Sequence, residues 1–194
     1  MLLIARVCVL ITLAAHLAAL QLTGGDAVAS PISLLSRGPA GWIHSVGLLS
    51  LALAWVLIGV TFLRRSLIHT GAALWRWACA LLFASAAVLT YVAYYFATAS
   101  DATLFGPDAN DPLGVLASLL GVVMGCLQPA FARTAPRLGR GNLFVLIAWI
   151  ALVPVIPFIE PEWLGAYERS VGALMLLWSA LLTTLPREPR VETP

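Results

Sequence analysis

Apolar residues in this chain fall in long unbroken blocks, separated by short polar breaks. Six blocks stand out, at about Leu2–Leu22, Trp42–Leu63, Trp75–Phe96, Leu113–Ala132, Leu143–Ile159 and Ala166–Leu185. Each approaches the roughly 20 apolar residues that a helix needs to cross a bilayer. Backbone groups in hydrocarbon must be paired within the spanning segment or by a closed barrel. The short alternating strands of a barrel are absent from the pattern, so helices are predicted. The longest breaks, Thr23–Gly41 and Ala97–Pro112, are too short to hold a folded soluble domain. The predicted fold is therefore all-α: a polytopic membrane protein, a six-transmembrane-helix bundle forming one membrane domain over residues 1–194, with a short tail at 186–194.

Composition supports this reading. Hydrophobic residues make up 61% of the chain and charged residues 10%, with a mean hydropathy of +0.95. Soluble domains run at about 45–50% apolar and about 25% charged. The net charge of +2 gives no basic face for nucleic acid, and the expected partner is the lipid bilayer. Cys8, Cys79 and Cys126 each sit in an apolar run with no paired spacing, which reads as three small buried hydrophobes.

Charge placement predicts the orientation. Arg6, Arg64, Arg65, Arg76, Arg133, Arg137, Arg140, Arg187 and Arg190 fall on one side of the alternating helices, and only Arg37 and Arg169 on the other. The positive-inside rule then puts both termini in the cytoplasm of a bacterial-type inner membrane. Seven of the acidic residues, from Asp26 to Glu168, fall on the opposite side, which fits the same parse. A secretory-signal reading of the first block, with Ala27-Val28-Ala29 as its cleavage site, is the alternative and leaves five helices.

Several residues are candidates for packing or chemistry. Gly114, Ala117, Gly121 and Gly125 make a small-residue row on the fourth block, which predicts close helix packing or a homo-oligomer face. Pro154 and Pro157 predict a bend near the outer end of the fifth block. Trp42, Trp75, Trp77, Trp163 and the Tyr91, Tyr94, Tyr95 group read as interfacial aromatic belts. Ser30, Ser33 and Ser36 would share one face of a short interfacial helix. No Ser-His-Asp spacing, phosphate loop or HExxH is present, and no catalytic, metal or cofactor residue is assigned.

The segment Ile32-Ser33-Leu34-Leu35 before the second block, and Glu168-Arg169 followed by Trp178 in the sixth, resemble the membrane family catalogued as domain of unknown function 998. That resemblance implies a six-helix membrane fold with an Ile-Ser-x-Leu element ahead of helix two and a Glu-Arg pair opening helix six. A third landmark of the family, Phe-Pro-x-Asp before helix four, is interrupted here by an extra residue in Phe105-Gly106-Pro107-Asp108. The His expected after Gly114 is also missing, with Leu116-Ala117-Ser118 in its place.

The remaining polar residues of the spans suggest a site. An ionisable group within a span is a functional candidate by default. His16 and His44, with Asp26, Glu168 and Arg169, all map to the outer leaflet, and they form the predicted ligand-binding set. The expectation is a non-enzymatic protein that binds a lipid or small amphiphile from the outer face. The alternatives are an intramembrane metal-dependent lipid hydrolase and a structural subunit of a membrane complex.

Overall fold

The computed structural model describes residues 1–24, 28, 32–35, 40–64, 72–98 and 112–185. Six long helices run through it: α1 (Leu2–Thr23), α3 (Gly41–Arg64), α4 (Ala72–Thr98), α5 (Pro112–Thr134), α6 (Pro136–Leu152) and α7 (Leu164–Leu182). A short helix, α2 (Ile32–Leu35), precedes α3, and two 3-10 turns, Val153–Phe158 and Pro161–Trp163, join α6 to α7. Among the described residues there is no strand. Five segments are long and apolar enough to cross a membrane: α1, α3, α4, α5, and α6 together with its 3-10 extension. In α7 the charged pair Glu168 and Arg169 interrupts an otherwise apolar sequence.

Successive long helices pack as antiparallel neighbours, and α7 returns to α1 to close the ring. The end holding Met1, Arg64, Pro136 and Leu182 is called the near end; the end holding Thr23, Gly41, Pro112 and Leu164 is the far end. Large apolar side chains point outward along the helices, among them Leu3, Leu10, Leu17, Phe144, Ile147 and Ile150. In water such a surface would drive association, whereas hydrocarbon is its natural solvent.

The near half is tied together by polar atoms on buried side chains. Asn142, fully buried, donates from Nδ2 to Met124 O at 3.0 Å and to Gln128 Oε1 at 2.7 Å. Its Oδ1 accepts the Trp178 indole N–H at 2.9 Å, so one amide links α5, α6 and α7. The Trp55 indole donates to Ser179 Oγ at 2.8 Å, joining α3 to α7. Arg6 reaches Thr183 Oγ1 and Thr183 O at 3.2 and 3.3 Å, placing a cation at the carboxyl end of α7, where the helix dipole favours it. Trp75, read from the sequence as an interfacial residue, is instead core. It stacks on Phe62 at 4.9 Å, meets Phe131 edge-on at 6.0 Å and donates its N–H to Phe62 O. Trp42, Trp77 and Trp163 are exposed, as belt residues are.

The fifth span starts earlier than its apolar block. Pro136 sits in the first turn of α6, where its missing N–H costs nothing. The α5–α6 corner is so tight that a side chain at Gly139 would meet Ala132 N at 2.9 Å. Toward the far end α6 gives way to the 3-10 turn holding Pro154 and Pro157. The Tyr167 hydroxyl of α7 donates to Val153 O at 2.9 Å and so ties α7 to this turn.

The small-residue row on α5 is not a close-packing face. Space is open within 4 Å of where a side chain would begin at Gly114 and Gly125, and Gly121 faces the Trp149 indole at 3.5 Å. The close approach of backbones lies elsewhere, at Gly47 on α3, where a Cβ would come within 2.9 Å of the Ala15 methyl and 3.4 Å of Thr12 O on α1.

Candidate functional site

Toward the far end the ring opens. A cavity of about 1090 Å³ lies between α7 and the walls made by α1, α3, α4, α5 and the end of α6, and it reaches past mid-depth to Val9 and Ala180. Its volume is at the top of the roughly 300–1,000 Å³ range of small-molecule pockets. Most of the lining is aliphatic, with Leu10, Leu13 and Leu17 from α1 and Met175, Leu176 and Leu177 from α7. Gly114 and Ala117 line it too, so part of the small-residue row gives the cavity room instead of drawing helices together.

His16, His44, Glu168 and Arg169 line the cavity toward its far end, with Tyr167 beside them and Thr12 about 6 Å deeper than His16. At 1.5 Å rise per residue, His16 lies about 10 Å, His44 about 4 Å and Arg169 about 7 Å from the far ends of their helices. The two imidazoles are 5.6 Å apart between ring centroids and tilted by 58°. Arg169 lines the same cavity as both rings. Asp26 lies outside the described residues, as do the side chains of Ser30, Ser33 and Ser36.

Local sequence explains how these groups are placed. Glu168 and Arg169, adjacent on a helix, project about 100° apart. Glu168 Oε2 accepts the backbone N–H of Ile32, satisfying an open donor at the start of α2. Leu35 of the same turn is buried, and Ala166 N donates to Val28 O at 2.8 Å, so α7 holds the segment that leads into α3. The Ile-Ser-x-Leu element and the Glu-Arg pair, read separately from the sequence, are thus one structural unit. His16 and His44 meet because α1 and α3 touch at Gly47 next to them. Thr12, missed in the sequence, shares its hydroxyl proton between Cys8 O at 2.9 Å and Gly47 O at 3.0 Å at that contact.

His44 is only 4% exposed, and its Nε2 has no hydrogen-bond partner among the described residues. A buried polar atom left without a partner costs about 1–3 kcal/mol. Among the described residues no three of His, Cys, Asp and Glu converge as a metal-ligand set. The chemistry on offer is a guanidinium, a carboxylate and two imidazoles within a largely apolar chamber. The roles of Tyr167 and Asn142 were also missed; each sits at the edge of an apolar block among other polar residues, which hid it.

No curated protein and no solved structure matches the chain. One family model does, described as "Protein of unknown function (DUF998)", over residues 6–185. The match takes in all six long helices, the two segments joined at Glu168 and the cavity they surround. The chain is an integral, multi-pass membrane protein, and it belongs to the DUF998 family.

Proposed function

We propose that the protein binds a lipid or other small amphiphile, with the polar head at the His16–His44–Arg169 band and the tail in the apolar cavity. The observation that carries this reading is the lining itself: His16, His44, Glu168 and Arg169 stand toward the far end of a cavity whose walls are otherwise largely aliphatic. The lining runs from Val9 to Leu20 along α1, about 16 Å of helix, and from Leu164 to Ala180 along α7, about 24 Å, against a hydrocarbon core of about 30 Å. That depth gives room for an acyl chain. The arginine distribution supports a far end that faces away from the cytoplasm, and thus a ligand from the outer leaflet of the cell membrane.

Native mass spectrometry of the protein purified in mild detergent tests the reading. A retained adduct of lipid mass in one-to-one ratio is expected. Gly114→Trp, which places an indole where no atom lies within 4 Å, should fill the chamber and abolish the adduct while the protein stays folded. Loss of no adduct with Gly114→Trp would count against the cavity as the binding place. Reporter fusions after Gly139 and at Ala109 test the orientation, with cytoplasmic and outside signals expected respectively.

A further inference from the structure

The lining of the cavity divides into two sorts of residue. Leu51, Leu89 and Leu120, on α3, α4 and α5, form the deep wall and are at most 1% exposed. Leu10, Leu13 and Leu17 on α1 and Leu177 on α7 line the same space, yet they are 58%, 43%, 54% and 52% exposed. A side chain that lines a cavity and also stands open to the surroundings marks its mouth. Leu10, Leu13 and Leu17 recur at helical spacing, so they form one edge along α1. Measured from the far ends of their helices, Leu10 and Leu177 both lie about 20 Å deep, and Leu13 and the exposed Ala173 both about 14–15 Å. The two edges stand at matching levels, and the mouth is a seam between α1 and α7.

The seam is pinned above and below. At the near end Arg6 of α1 holds Thr183, just past the end of α7. At the far end Ala166 N donates to Val28 O and Glu168 accepts the Ile32 N–H, both from the segment that follows α1. Between the pins Leu10, Leu13, Ala173 and Leu177 have apolar side chains, so parting them breaks no side-chain hydrogen bond. Leu10 and Leu17 also continue the outward row that Leu3 begins, which is the surface suited to hydrocarbon. The mouth therefore opens sideways onto lipid.

Resting on the amphiphile reading above, we infer that the cavity is filled from the side, by an acyl chain of a bilayer phospholipid that enters between α1 and α7. A chain passing through the seam stays in apolar surroundings throughout, whereas one arriving through water exposes its whole tail on the way. The occupant is thus a long-chain lipid already resident in the membrane.

The test follows lipid exchange. Protein purified with the lipid it retains is reconstituted into vesicles of chain-deuterated dioleoylphosphatidylglycerol. Samples extracted over time in mild detergent are read by native mass spectrometry. The heavy lipid should replace the light one, one molecule per chain. Leu13→Trp and Leu177→Trp, which crowd the seam from opposite edges, should each slow the replacement about tenfold or more. Ile147→Trp, equally exposed but off the cavity, should exchange at the wild-type rate. Both seam positions are exposed, so a tryptophan there leaves the core intact, and either variant alone reads the seam. Heavy adduct forming at the wild-type rate in both would overturn the seam and leave the amphiphile reading standing. So would a wild type that takes nothing from the vesicles yet binds dihexanoylphosphatidylglycerol, a short-chain lipid supplied through water. Binding of neither lipid would overturn both.

Discussion

At the near end, Asn142, Trp55, Trp75 and Trp178 each give their polar atoms to another helix, and the helices there pack around fully buried aromatic rings. At the far end, His16 and His44 face a cavity, and His44 Nε2 has no partner among the described residues. The same membrane, and the same kinds of side chain, thus serve two opposite ends. Polar groups in the near half answer one another and hold the ring closed. In the far half His44 is held at some cost to stability, because its buried Nε2 has no partner among the described residues.

The largest expected effect is at Asn142. Asn142→Ala removes three interhelical hydrogen bonds, each worth about 0.6–1.7 kcal/mol in a membrane protein, for a total loss of about 2–5 kcal/mol. Denaturant titration in micelles would measure it, and a loss below 1 kcal/mol would mean that the near half is not the stabilising end. Next comes Gly47→Leu, which must push α1 away from α3 at Ala15 and Thr12, at about 1–3 kcal/mol. It should also separate His16 from His44 and weaken lipid retention, joining a stability loss to a binding loss. Gly121→Leu meets only the Trp149 indole and should cost about 1 kcal/mol, with Gly125→Leu as the control within about 0.5 kcal/mol of the wild type. Tyr167→Phe removes the hydroxyl from Val153 O and should cost about 0.6 kcal/mol. His44→Phe is the sharpest contrast. Replacing an unpartnered buried polar group by an apolar one of similar shape is neutral or stabilising, so ligand-free stability should hold or rise by up to about 1 kcal/mol. A loss as large as that of Asn142→Ala would erase the distinction between the two ends.

The spans were legible because length and apolarity determine them. Their ends were less so. α6 begins seven residues before its apolar block because Pro136 starts a helix as readily as Ala would, while Arg137, Arg140 and Asn142 make its first two turns look like a loop. That masking hid Asn142, which the apolar block excluded by one position. The Gly and Ala row on α5 shows the converse error: spacing alone names a face, yet which neighbour lies across from it depends on the whole ring. The residue types of the site and their common level were readable, since alternation of the helices sorts residues by end. The 5.6 Å meeting of His16 and His44 was not, because it depends on how α1 turns about its own axis to bring Ala15 against Gly47.

The closure of the ring by α7 has a consequence in time. Arg6 and its partner Thr183 are separated by 177 positions, and at synthesis rates of about 5–20 residues per second the first waits roughly 10–35 s for the second. During that interval Arg169, Glu168 and the wall they stand on do not yet exist. The chamber comes into being only when α7 has left the ribosome and inserted, so a chain stalled before α7 lacks both the closing wall and its two charged residues.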